Sequence, residues 1–310
     1  MKTTRNWAMN QSGVNVRSYL VTIVATIMAT LATGPITGAA LASETDRFAA
    51  VEVTAQHVRG SVHMLTGAGG NIGLSVGKDG TLLIDDQYGP LAERIQNAVN
   101  ESGGATPKLV LNTHYHGDHT GSNAHFGAAG TIIAHENVRV RLVNADSVDP
   151  VALPVVTYQD RIRVFFNDDT IDVIHMPAGH TDGDSVVWFK NANVIHMGDQ
   201  LFNGSFPYID VPSGGSVAGY ADNLAKVLEM VPDDIIVIPG HGAITNVAGI
   251  AESLEMITAT NNTVTQAIAA GSSPDEIIAA GLEARWERFG QGFINEERWI
   301  QILLASAQGR

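Results

Sequence analysis

His114-Tyr115-His116-Gly117-Asp118-His119 follows the apolar run Leu109–Asn112 and precedes Thr120-Gly121. Four residues able to ligate a metal stand within six positions at the end of a predicted strand. Side chains at i and i+2 of an extended segment share a face, so His114 and His116 can grip one ion. Gly117 lets the chain turn and aims Asp118 and His119 at a second position. Imidazole and carboxylate suit zinc, manganese or ferrous iron. The chain has no cysteine, which removes thiolate ligands, disulfides, a thiol nucleophile and iron–sulfur clusters.

Three further elements suit the same site. His180 lies in Ala178-Gly179-His180-Thr181-Asp182-Gly183, Asp199 in His196-Met197-Gly198-Asp199, and His241 in Pro239-Gly240-His241-Gly242. Each stands beside glycine at a strand-to-loop junction, where ligands emerge from a rigid scaffold. The other histidines, His57, His63, His125, His135, His175 and His196, fall outside this pattern. His175 and His196 lie on apolar strands beside ligand-bearing loops and read as hydrogen-bonded core or supporting residues. The remaining four read as surface or packing histidines.

The scaffold is an alternation of short apolar runs. Val51–Val58, Ser61–Thr66, Asn71–Val76 and Thr81–Asp86, separated by glycine-rich turns, predict an antiparallel meander. Leu91–Asn100 has helical spacing and stops at Gly103-Gly104; Lys108–Asn112 reads as a buried strand. Strands are expected at Arg161–Phe166, Ile171–Ile174, Ser185–Phe189, Asn193–Ile195 and Ile235–Ile238. Helices are expected at Ala218–Met230, Val247–Ala269, Asp275–Gly281 and Asn295–Ser306, with Pro274 just inside a helix start. No Pro- or Ser-rich linker divides residues 43–310, so a single domain is expected, with two sheets packed together and helices outside.

Lys2, Arg5 and Arg17 are the only charged residues before Glu44, and the apolar stretch that follows Arg17 ends in Ala40-Leu41-Ala42. A basic start, an apolar middle and an A-x-A site read as a secretory signal over residues 1–42, which places the mature chain in the periplasm or outside the cell. The alternative is an uncleaved anchor, because the stretch is long enough to span. No later apolar run approaches membrane length, so no stable membrane span is expected after cleavage. The 310 residues, 45% hydrophobic, can bury a large core, which excludes wholesale disorder. A net charge of −14 argues against a nucleic-acid partner gripped through phosphates. The expected partner is a small-molecule substrate.

Together the five elements resemble the signature of the metallo-β-lactamase superfamily, from Asp85 in Leu82-Leu83-Ile84-Asp85-Asp86 to His241. The resemblance implies an α/β fold, a four-layer αβ/βα sandwich, with a dinuclear site at one edge of the sheets. It implies two zinc ions per chain. His114, His116 and His180 would hold the first, Asp118, His119 and His241 the second, and Asp199 would bridge them. Asp85 matches the family's supporting Asp behind the ligand loop, although Asp86 could take that role. The hairpin around Gly67–Gly70 would overhang the pocket; Asn203–Tyr208, which follows Asp199, reads either as pocket lining or as an ordinary surface turn with two packed aromatics.

Two cations about 3.5–4 Å apart can share a water and bring its pKa near neutrality. That gives a nucleophile for a carbonyl carbon without Ser or Cys, with Asp118 as the catalytic residue that orients it and passes a proton. The expected activity is hydrolysis of an amide- or ester-type carbonyl, with β-lactam ring opening as the leading substrate. Against it stands Asp199, because the Asp-bridged set resembles glyoxalase-type thioesterases and lactonases. Two other readings use the same fold: a mononuclear iron persulfide dioxygenase and a non-catalytic metal-binding protein. No phosphate loop is present as a rival, because no Lys-Ser/Thr follows Gly67-Ala68-Gly69-Gly70.

Overall fold

Residues 47–145 and 148–308 are described by a computed structural model, and they fall within one compact unit, Ala42–Arg310. The segment read as a secretory signal lies outside the described residues. Among the described residues no helix is long and apolar enough to cross a membrane.

The first half builds a seven-stranded sheet in simple sequence order. Strands β1 (Thr54–Arg59), β2 (Val62–Thr66), β3 (Ile72–Gly77) and β4 (Gly80–Ile84) form the antiparallel meander. Parallel strands β5 (Leu109–Asn112), β6 (Thr131–His135) and β7 (Val156–Tyr158) complete it. Helix α1 (Ala92–Glu101) crosses from β4 to β5; the short helices α2 (Gly117–Thr120) and α3 (Asn123–Gly127) cross from β5 to β6, and α4 (Glu136–Val143) follows β6.

The second half builds a five-stranded sheet in the order β12-β11-β10-β9-β8. Its members are β8 (Arg161–Phe166), β9 (Asp169–His175), β10 (Ser185–Phe189), β11 (Val194–His196) and β12 (Ile236–Ile238). Strands β9 and β11, which carry the similar sequences Asp172-Val173-Ile174-His175-Met176 and Asn193-Val194-Ile195-His196-Met197, flank β10 on either side. Helix α5 (Val217–Met230) precedes β12; α6 (Val247–Ala269), α7 (Pro274–Ala280) and α8 (Glu296–Ala307) follow it.

Strand alternation explains the layering, because successive side chains point to opposite faces. Leu82 and Ile84 join Val62, Leu111, Val173, Val187, Phe189 and Val194 in the core between the sheets. Leu83, between them, points outward with Leu74 and Val110 onto Ile95, Val99 and Phe126 of α1 and α3. On the far side Val186, Trp188 and Ile195 pack against Tyr220 and Leu224 of α5, Met256 and Ile257 of α6, and Trp299 and Leu303 of α8. This is the expected αβ/βα sandwich.

The differences from expectation are local. The sequence reading placed no element between Asn112 and Arg161, where β6, β7 and three helices lie. Thr131–His135 is too short a run for periodicity to declare its type, and β7 has three residues. The run Thr81–Asp86 stops being a strand at Ile84, because Asp85 and Gln87 adopt left-handed backbone with φ 63° and 53°. That turn carries Asp85 out of the sheet and under the ligand loop.

Candidate metal centre

All seven residues singled out from the sequence converge at the ends of the strands. His114, His116, His180 and Asp199 form one group, and Asp118, His119 and His241 form another; within each group the potential ligand atoms lie within 4.8 Å of one another. His114 and His116 extend from the end of β5, and Asp118 and His119 start α2. His180 follows β9, Asp199 follows β11 and His241 follows β12.

Asp199 straddles the two groups. Its Oδ2 is 3.7 Å from His114 Nε2 and 3.4 Å from His180 Nε2, while its Oδ1 is 3.0 Å from His119 Nε2 and 3.3 Å from His241 Nε2. Asp118 Oδ2 lies 3.4 Å from His241 Nε2 on the other side of the second group. The centre is closed except on one side: the side chains of His116, Asp118 and His241 are 19%, 22% and 28% exposed, and the other four are at most 5% exposed.

The rings are locked from behind, and a supporting partner of this kind fixes both tautomer and orientation. His119 Nδ1 faces Asp85 Oδ2 at 2.7 Å, and that carboxylate also accepts the Thr113 amide and hydroxyl, each at 2.7 Å. His180 Nδ1 donates to the Tyr208 carbonyl at 2.6 Å, and His114 Nδ1 lies 3.0 Å from Thr113 Oγ1. Asp85 therefore takes the supporting role. Asp86 does not: it turns away to accept the Ser122 amide at 2.9 Å. His196 Nε2 bonds the Asn71 carbonyl at 3.0 Å and its Nδ1 accepts the Gly198 amide at 3.2 Å, as expected for a buried supporting histidine. His175 Nδ1 bonds the Asp184 carbonyl at 2.8 Å and stacks on His135 at 3.8 Å.

Two glycines let backbone press on the donors. A Cβ on Gly70 would lie 2.1 Å from His119 Cε1, and one on Gly240 would lie 2.2 Å from Asp199 Oδ1. The hairpin around Gly67–Gly70 thus lies against the second group, pinned by the Asn71 amide donating to the Gly240 carbonyl at 2.7 Å. From the loop after Asp199, Phe202 stacks on His241 at 4.8 Å and the Tyr208 ring stands 5.9 Å from His116.

The electrostatics are those of a cation site. Burial pushes His114 well below its ordinary pKa and His180 down to about 4. Burial also disfavours charge on His119 and His241, but Asp199 and the neighbouring carboxylates outweigh it, raising His119 strongly and His241 to about 9. Burial disfavours ionised Asp118 and Asp199, yet the surrounding histidines hold both carboxyls below their usual range.

The donor set fits a metal. His114 Nε2, His119 Nε2 and Asp199 Oδ1 are buried and make no hydrogen bond among the described residues. His116 Nδ1 faces His180 Nε2 at 2.8 Å. Both of those nitrogens carry lone pairs, because the other nitrogen of each ring faces an oxygen acceptor: Asp210 Oδ2 at 3.0 Å for His116 and the Tyr208 carbonyl for His180. Two lone pairs that close repel unless a cation lies between them. Imidazole and carboxylate donors of this number suit zinc or a neighbouring first-row ion.

Sequence reasoning missed Asp210, Thr113, Asp184 and Gln200. Asp184 accepts the Thr181 amide at 2.7 Å and Gln200 Nε2 at 2.5 Å, tying the loop of His180 to that of Asp199. Asp210 opens a turn at Asp-Val-Pro-Ser-Gly-Gly, which the sequence signals, but nothing local links it to His116.

Comparison with known proteins agrees with this geometry. The family model described as the metallo-beta-lactamase superfamily matches residues 65–241. The chain is 33% identical over 153 residues to a hydroxyacylglutathione hydrolase of Rhodospirillum rubrum, covering 49% of this chain and 54% of the relative. It is 25% identical over 168 residues to the acyl-coenzyme A thioesterase MBLAC2 of Gallus gallus, covering 46% and 60%. The chain thus spans little more than half the length of these relatives. A solved metallo-beta-lactamase from Pontibacter korlensis superposes with a TM-score of 0.59 at 15% identity, over 67% of this chain and 99% of that one. With the five motif elements gathered at one edge of an αβ/βα sandwich and the family model running from β2 to His241, this chain belongs to the metallo-β-lactamase superfamily.

Proposed function

We propose that this chain is an exported dinuclear metal-dependent hydrolase of an activated acyl bond, a thioester first. The observation that carries the reading is Asp199, which places one carboxylate oxygen toward each donor group. His114, His116 and His180 would hold one zinc ion; Asp118, His119 and His241 would hold the other. Ions held there would polarise an acyl carbonyl and lower the pKa of water between them.

The chain's own groups do the rest. Substrate approaches on the open side, over His116, Asp118 and His241. Phe202 and Tyr208 wall that side. Asp118 is the most exposed carboxylate of the centre and is held ionised, so its oxygens accept a proton from the attacking water. A thiolate, with a thiol pKa near 8.5, leaves without a proton, whereas an amide nitrogen needs one. This argument and the names of the two relatives favour thioesters over β-lactams, although both readings use the same centre. Export is supported by the basic, then apolar, N-terminal segment ending in Ala40-Leu41-Ala42.

The test is kcat/KM of the zinc-loaded protein across acyl thioesters, lactones and β-lactams. Thioesters are expected to lead, and chelation to abolish turnover. β-Lactams as the best substrates would overturn the substrate assignment. A protein holding two metals that hydrolyses none of the three would overturn the enzyme itself.

A further inference from the structure

Asp210 is not among the seven donors, yet it reaches the first group from two directions. Its Oδ2 accepts the Tyr115 hydroxyl at 2.7 Å and faces His116 Nε2 at 3.0 Å. Its backbone amide donates to the His180 carbonyl at 2.9 Å. The side chain is buried, and its Oδ1 accepts the Ser213 amide at 3.3 Å. Contact this close needs glycine in the turn: a Cβ on Gly215 would lie 2.4 Å from the His180 carbonyl oxygen and 2.8 Å from that of Asp210.

A carboxylate offers only acceptors, so the hydrogen shared with His116 sits on Nε2. A neutral imidazole carries one such hydrogen, which leaves Nδ1 with a free lone pair turned into the centre. Three of the other four rings are locked the opposite way round. His114, His119 and His180 each spend Nδ1 on a supporting partner and turn Nε2 inward. His116 alone offers Nδ1, and Asp210 is the group behind it.

We propose that Asp210 is a positioning residue that fixes His116 in the Nε2–H tautomer, and so keeps the first donor group competent to bind metal, while its backbone holds the loop of His180 in place. The consequence for metal rests on the dinuclear reading given above; the tautomer does not. Tyr115 steadies the carboxylate: its hydroxyl also meets Ser213 Oγ at 2.8 Å, and its ring lies under the Arg141 guanidinium at 5.3 Å.

Asp210→Asn is the direct test. The Ser213 amide claims the carboxamide oxygen at the Oδ1 position, which leaves the NH2 at the Oδ2 position facing His116 Nε2 and favours the Nδ1–H form, while the Tyr115 hydroxyl can donate to Ser213 Oγ. Zinc affinity, measured by chelator competition, is expected to fall about 10–100-fold, the usual cost of losing a supporting partner. Tyr115→Phe keeps the His116–Asp210 contact, removes only one hydrogen bond to the carboxylate, and is expected to lose less zinc affinity than Asp210→Asn. Imidazole 15N shifts of metal-free wild-type protein are expected to show His116 protonated at Nε2. A wild-type ring protonated at Nδ1, or unchanged zinc affinity in Asp210→Asn, would overturn the proposal. Should the variant fail to fold, the wild-type spectrum decides. Should the wild-type protein take up no metal, the dinuclear reading fails, while the spectrum still tests the role of Asp210.

Discussion

The Asp85 carboxylate sits 2.7 Å from His119 Nδ1 and simultaneously holds the amide and hydroxyl of Thr113, the residue before the first donor. One buried side chain thus sets the ligand loop at both ends. Asp85→Ala would leave three buried donors unpaired and is expected to cost about 3 kcal/mol or more of stability. Asp85→Asn tolerates the left-handed backbone found there (φ 63°) and keeps the fold. Its zinc affinity is expected to fall about 10–100-fold. Denaturant midpoints and chelator competition on the two variants separate these effects.

Gly70 offers a selective test of the proposed second metal position. Its missing Cβ makes room for the His119 ring, which belongs to the second group only. Gly70→Ala is therefore expected to lower zinc content from two ions per chain to one and to abolish turnover while the first group still loads. Metal analysis after gel filtration reads the stoichiometry; an unchanged content of two would contradict the packing argument.

Asp184 sets a pH dependence on the metal-free fold. Burial raises its carboxyl from 3.8 to about 7, against the hydrogen bonds from Thr181 and Gln200. Between those values the folded chain keeps a proton that the unfolded chain has released. This contribution to stability is complete below about pH 4 and is lost as the pH climbs through about 7. Asp184→Asn removes that titration. Urea midpoints between pH 5 and 8 are expected to fall for the wild type by more than for the variant. Parallel profiles would count against this role.

Trp299 anchors the C-terminal helix to the loop behind Asp199. It is fully buried, donates Nε1 to Thr260 Oγ1 at 3.0 Å and stacks on Phe206 at 5.7 Å. Trp299→Ala is expected to cost about 3–5 kcal/mol and to lower Tm by about 10 °C. Thermal unfolding followed by circular dichroism checks it.

All seven residues that converge at the strand ends were legible in the sequence because their chemistry is written locally: His, Asp and Gly crowd at the ends of apolar runs. The layers were legible for the same reason, since alternation along β4 and β10 and helical spacing in α5 and α6 are properties of neighbours. Asp85 stood out only through its place in the family motif, which left Asp86 open beside it until the folded contacts chose between them. The partner of His116 did not, because Asp210 is 94 residues away and nothing in its own turn encodes the contact. Gly70 beside His119 and Asp184 beside Gln200 are likewise contacts between loops that only the folding of each half brings together. Residue type and spacing determine which atoms can bind a cation; only the folded packing determines which nitrogen of each ring faces it, because a tautomer is set by the neighbour across space.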